Sequence, residues 1–167
     1  MPGSEVDAAA VLAACRARGW RLATGESCTG GLIAARLTDV AGASDVVEGG
    51  VVVYADTQKV RWLRVPAEVL ARDGAVSEPT VRAMAEGCRE TFGVDVAVAV
   101  TGIAGPGGGS AEKPVGLVHL AVATPRATTH RRVVFEGNRA SVREATVEAA
   151  LELVASAAGG GEVTRDL

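Results

Sequence analysis

The sequence predicts an α/β layered domain, a mixed and mostly parallel sheet flanked by helices. Three observations predict it. Helical and strand-type segments alternate over residues 5–102. "VDVAVAVTG", residues 94–102, is an unbroken apolar run of the kind buried on both faces. Two more strands, "VGLVHLAVAT" and "THRRVVFEG", follow with a short polar link and read as an antiparallel pair.

The elements follow in chain order. "EVDAAAVLAACRARG" carries apolar residues at helical spacing, and Gly19 supplies the stop. "WRLAT" is a short strand, and "ESCTGG" punctuates it. "LIAARLTDVAG" continues as a helix that Gly42 can end, and "VVEGGVVVYA" is strand-like. "DTQKVRWL" and "PAEVLARDG" are short helices, the second opened by Pro66. Ser77 caps a helix through "EPTVRAMAEGCRETFG". After the long strand comes "IAGPGGGSAEKP", a stretch of turn chemistry. A last helix starts near Asn138. Residues 1–167 read as one domain, with a core over about 5–158 and a flexible tail over 159–167.

Composition narrows the function. A hydrophobic share of 48% and a mean hydropathy of +0.23 suit a packed core. Aromatic residues are 3% of the chain, too few for base-stacking platforms. A net charge of −3 and a pI near 5.4 argue against nucleic acid and against a membrane surface as partner. The three cysteines, Cys15, Cys28 and Cys88, have no paired spacing, which indicates a reducing, cytoplasmic setting. No His, Asp or Glu spacing suggests a metal, and no motif calls for a cofactor.

Two glycine-rich turns and one lysine carry the chemistry. In "ATGESCTGGLIAARL", Gly30 and Gly31 fall where a helix begins, so its free N–H groups can bind an anion or carboxamide. Ser27 and Thr29 add hydroxyls. "TGIAGPGGG" follows the buried strand, at the sheet end where α/β proteins bind ligands. Of the 17 basic residues only Lys59 and Lys113 are lysine, and Lys59 lies five positions after the single tyrosine, Tyr54. A buried lysine can lose its proton and act as a base, which arginine cannot do. His119 and His130 lie in strands and support no Ser–His–Asp triad. Hydroxyl-plus-lysine chemistry remains, with Ser27 or Ser44 as nucleophile. Cys28, at a helix start, is a thiol alternative.

The stretches "ATGESCTGGLIAARLTDVAGAS", "GGVVVYADTQKV", "DGAVSEPTV", "DVAVAVTGIAGPGGGSAEKPVGLVHLAV" and "GNRASVREATVEAAL" together resemble the CinA C-terminal domain family. The resemblance covers about residues 5–158 and is to the family's stand-alone form. It implies a nicotinamide-nucleotide amidase that converts nicotinamide mononucleotide and water to nicotinic acid mononucleotide and ammonia, without a metal. The alternative is a non-catalytic nucleotide- or partner-binding module linked to competence or DNA damage. The family's nucleophile matches Ser44, its tyrosine Tyr54 and its lysine Lys59. Ser27, Thr101 with Gly102, and Arg139 match substrate-binding positions, Arg139 facing the phosphate with Arg143 as its alternative. A homo-oligomer is implied as well. Two departures stand out: Gly25 where many relatives carry alanine, and Asp56 where asparagine is frequent. A negative Asp56 beside Lys59 favours the protonated amine.

Overall fold

The structure is a computed structural model, and it describes residues 6–159. Those residues form five strands, six α-helices and one 3-10 turn. In order they are α1 (Ala8–Ala17), β1 (Leu22–Glu26), α2 (Leu32–Thr38), the 3-10 turn (Ala43–Asp45), β2 (Val47–Val52), α3 (Asp56–Leu63) and α4 (Ala67–Asp73). There follow α5 (Glu78–Phe92), β3 (Val96–Gly102), β4 (Leu117–Ala123), β5 (Thr128–Val134) and α6 (Arg139–Gly159).

The strands make one sheet in the order β2-β1-β3-β4-β5. β1 pairs parallel with β2 and β3, while β4 runs antiparallel to both β3 and β5. Only β4 is reversed, so the sheet is mixed and mostly parallel as expected. The carboxyl ends of β1, β2 and β3 therefore open on one side of the molecule, where the loops that follow them meet.

Alternation along β3 decides how the two faces pack. Val96, Val98 and Val100 join a core with α1, α2 and α6, whereas Ala97 and Ala99 join a second core with α3 and α5. β4 repeats the pattern, with Val118, Leu120 and Val122 against Ala121 and Ala123. Branched side chains fill the first layer, and methyl groups on the other face let α5 lie close to the sheet.

Three helix starts are capped by side chains, the one at Ser77 as expected. The Asp7 carboxylate accepts from the Ala9 N–H at 3.0 Å, and the Ser77 hydroxyl accepts from the Thr80 N–H at 3.3 Å. The Asn138 side chain accepts from the Ser141 N–H at 3.0 Å. One helix is shorter than the sequence predicts. α2 ends at Thr38, whose hydroxyl donates back to the Ala34 carbonyl at 2.8 Å. Gly42, at φ +84°, opens the unexpected 3-10 turn instead of ending α2. α6 extends through Gly159, the first residue of the expected tail; residues 160–167 lie outside the described residues.

α3 presses on α5 at Gly87. A Cβ there would stand 1.6 Å from the Leu63 carbonyl oxygen. Alanine in a helix is favoured over glycine by about 1 kcal/mol, but overlap with backbone cannot be relieved by a rotamer change. Gly87→Ala is therefore expected to destabilise by roughly 2–3 kcal/mol, read as a fall in Tm of about 4–12 °C. An unchanged or raised Tm would mean that α3 and α5 do not meet at this point.

Candidate active site

Three strand ends and two helices build one pocket of about 300 Å³. β1 delivers Ser27 and Cys28, and the turn after β2 delivers Tyr54. β3 delivers Thr101 and Gly102 and continues into the glycine loop around residues 105–108. α3 supplies Asp56 and Lys59, and α6 supplies Arg139 from its first position. Ala75 and Val76, just before α5, close the remaining wall.

Lys59 is the bulkiest of the fully buried side chains among the described residues, only 1% exposed. Its Nζ donates to the Tyr54 carbonyl at 3.0 Å, and Asp56 Oδ1 stands 3.6 Å away. Burial pushes the lysine below its ordinary pKa, while Asp56 pulls it back. The amine can therefore exchange a proton more readily than a surface lysine. Lys113, by contrast, donates to the Asp73 carbonyl at 2.7 Å and ties the glycine loop to the end of α4.

Tyr54 holds Lys59 with its backbone, and its ring serves another purpose. The Tyr54 hydroxyl accepts from Arg139 Nη2 at 3.2 Å, and Arg139 Nη1 donates to the Gly105 carbonyl at 2.9 Å. Arg139 thus joins the tyrosine to the glycine loop at the pocket mouth. Arg143 does different work: it donates to the Cys28 and Thr29 carbonyls at 3.0 and 3.2 Å and fastens the "ESCTGG" turn to α6. Of the two arginines, Arg139 is the one that lines the pocket.

Thr101 lines the pocket and donates its hydroxyl to the Ala75 carbonyl at 3.0 Å, which fixes the facing wall. Cys28 also lines the pocket, but burial pushes its thiol up to about 11. It is therefore protonated near neutrality, which removes the thiolate expected from its place before a helix.

Two groups of expected site residues lie away from this pocket. Ser44 is exposed in the 3-10 turn that precedes β2, whereas Tyr54 and Lys59 follow β2. The six residues of β2 separate them by about 20 Å, so within one chain Ser44 does not reach the lysine. Its carbonyl accepts from Arg21 at the opposite end of the sheet. Thr29, Gly30 and Gly31 do not line the pocket either. Thr29 is fully buried and donates to Glu26 Oε1 at 2.6 Å. The same carboxylate accepts from the Ile33 and Ala34 N–H groups at 2.9 and 3.1 Å. The start of α2 does bind an anion, but that anion is the chain's own Glu26. Gly30 and Gly31, at φ +59° and +103°, shape the turn around it.

The whole arrangement matches the family described as CinA C-terminal domain, over residues 5–158. The chain belongs to that family. It is 55% identical over 144 residues to a CinA-like protein of Anaeromyxobacter sp. (strain K), a match covering 86% of this chain and 35% of that protein. It is 52% identical over 163 residues to a CinA-like protein of Mycobacterium sp. (strain MCS), covering 95% and 37%. The chain thus spans about a third of the length of these curated relatives. Among solved structures it resembles the competence/damage inducible protein CihA from Agrobacterium tumefaciens, at TM-score 0.89 and 45% identity, covering 93% of this chain and 94% of that one. It also resembles a CinA superfamily protein from Escherichia coli, at TM-score 0.85 and 30% identity, covering 92% and 91%. No helix among the described residues is long and apolar enough to cross a membrane.

Glu26 and the Ala75–Val76 wall of this CinA domain carry no motif that marks them in the sequence. Glu26 follows no capping box, because it caps α2 from the end of a strand and not from the residue before the helix. A glutamate closing an otherwise uncharged strand was the available signal.

Asp56 gives the site a measurable dependence on charge. Asp56→Asn removes the negative neighbour and leaves burial unopposed. Lys59 is then expected to lose its proton at a lower pH than in wild type, followed by NMR titration of its side chain. An upward shift, or none, would show that Asp56 does not act on the amine.

Proposed function

We propose that this CinA domain hydrolyses the carboxamide of nicotinamide mononucleotide, giving nicotinic acid mononucleotide and ammonia. The observation that carries the reading is the buried Lys59, 1% exposed and held by a neutral carbonyl in the pocket that Ser27 also lines. A buried amine and a hydroxyl lining one pocket are the groups that serine–lysine hydrolysis needs.

In this mechanism Ser27, and not Ser44, is the nucleophile. Neutral Lys59 accepts the proton of Ser27 Oγ as the oxygen bonds to the carboxamide carbon. N–H groups of the glycine loop at 105–108 are the candidate donors to the developing oxyanion. The proton on Lys59 passes to the leaving nitrogen, the C–N bond breaks and ammonia departs. Water then attacks the acyl-serine, giving its proton to Lys59, and the carboxylate product leaves as Ser27 Oγ regains a proton from that amine. The chemistry uses only groups of the chain. Arg139, beside the glycine loop, meets the phosphate of the mononucleotide, and Thr101 shapes the wall around the ring. Assembly as a homo-oligomer in the cytoplasm belongs to the same proposal.

Ammonia release from nicotinamide mononucleotide tests the nucleophile. Ser27→Ala should lower turnover by at least ~10³-fold, and Ser44→Ala should leave it within about 2-fold. Lys59→Met, close in volume and without a charge to bury, should match the Ser27 loss while product binding persists. Full activity of Ser27→Ala would end this assignment. No release by the wild-type protein from neutral to alkaline pH would favour a non-catalytic nucleotide-binding module.

The phosphate contact is tested separately. A charge-assisted pair contributes about 1.5–3 kcal/mol, so Arg139→Ala should raise KM for the mononucleotide by roughly 10- to 150-fold. KM for the riboside, which lacks the phosphate, should move far less. Equal losses on both substrates would remove Arg139 from that role.

A further inference from the structure

Behind the Ala75–Val76 wall lies a chain of polar side chains that hydrolysis does not use. His130 of β5 sets its Nδ1 3.1 Å from Glu78 Oε1, at the first position of α5. Its Nε2 lies 2.8 Å from Nδ1 of His119 on β4. The two rings stack with centroids 5.1 Å apart, and His119 is only 7% exposed. In the sheet His119 stands opposite Thr101. Thr101 in turn bonds the Ala75 carbonyl, three residues before Glu78.

We propose that Glu78, His130 and His119 form a proton-operated strap, which ties the first turn of α5 to β4 and β5 and releases in acid, loosening the pocket wall.

Counting donors gives the mechanism. With both rings neutral, His130 Nδ1–H donates to Glu78 and His130 Nε2 accepts from His119 Nδ1–H. One added proton is tolerated: His130 becomes an imidazolium that still faces Glu78, and its Nε2–H now donates to a bare His119 Nδ1. A second proton places two N–H groups and two positive charges face to face at 2.8 Å, and the link must open. The surroundings resist that proton. Glu78 on α5 favours charge on the rings, but Arg82 on α5, Arg132 on β5 and Lys113 in the glycine loop oppose it. Burial contributes most, and His119 is pushed down to about 4. The folded protein thus binds these protons more weakly than the unfolded chain. Stability from this source is complete above the ordinary histidine value of 6.5 and declines as pH falls towards about 4.

The test reads the rings and the fold, not turnover, so it stands or fails independently of the hydrolase reading. In wild type at about pH 7.5, nitrogen NMR should find His119 protonated at Nδ1 and bare at Nε2. Two rings titrating independently near the ordinary value would overturn the strap. His119→Asn keeps an N–H donor near the Nδ1 position and cannot take a proton. It is expected to lose less than roughly half the Tm that wild type loses between pH 6.5 and 4. Amides 75–82 should also keep their protection from hydrogen exchange in acid. Equal losses in variant and wild type would overturn the proposal. If His119→Asn does not fold, the wild-type nitrogen spectrum decides alone.

Discussion

The buried carboxylate of Glu26 is the contact on which the site depends. It ends β1 at 1% exposure and accepts three hydrogen bonds, from the Thr29 hydroxyl and from two N–H groups at the start of α2. Hydrogen bonds to a charged group contribute about 1.5–3 kcal/mol each, and a helix N-terminus adds to the stability of a negative charge. A charge this deep would be costly without them. The result is a rigid junction between strand and helix, with Ser27 and Cys28 leaving it towards the pocket. Arg143 holds the same turn from the other side through two carbonyls. A short polar turn that would otherwise be mobile is fixed at both ends.

The layering of the sheet explains why Lys59 can be buried at all. The face towards α3 and α5 carries Ala97, Ala99, Ala121 and Ala123, so α5 sits close, and Gly87 lets α3 come close to α5 in turn. The last turn of α3 is drawn inwards, with Leu63 in the core, and Lys59 one turn earlier is carried under the loop that ends β2. Larger side chains on that face would lift both helices and return the amine to solvent. The burial of Lys59 thus rests on the size of side chains at 87, 97 and 99, which do not line the pocket.

Most of the fold was legible because its signals are local. The apolar run at 94–102, the cap at Ser77, the helix start near Asn138 and the stop at Gly19 each act within a few residues. Lys59 and Tyr54 were legible for a different reason: they are rare residue types in an arginine-rich chain. Ser44 is preferred to Ser27 by the resemblance alone, and distance along the chain says little about distance across a strand. It and Lys59 lie at opposite ends of β2, which no local pattern reveals. Thr29 and the two glycines lie away from the pocket for another reason. A helix start does bind an anion, but the chain fills that place with its own glutamate. The His119–His130 contact was invisible, since it joins two strands through a register that only the folded sheet sets.

The partner of Lys59 reconciles its burial with the loss of a proton. Had its Nζ met a buried carboxylate, deprotonation would leave an unpaired anion in a low-dielectric site, and the pair would stay locked as ions. The actual partner at 3.0 Å is the Tyr54 carbonyl, a neutral acceptor. Losing a proton there leaves no stranded charge, because the amine keeps further N–H groups able to donate to the same carbonyl. The carboxylate of Asp56, 3.6 Å away, belongs to a side chain that is 60% exposed, so water screens most of its pull. Burial lowers the lysine most, and an exposed aspartate moderates that shift. The balance is a property of geometry: a backbone carbonyl inside, a carboxylate outside, and the amine between them.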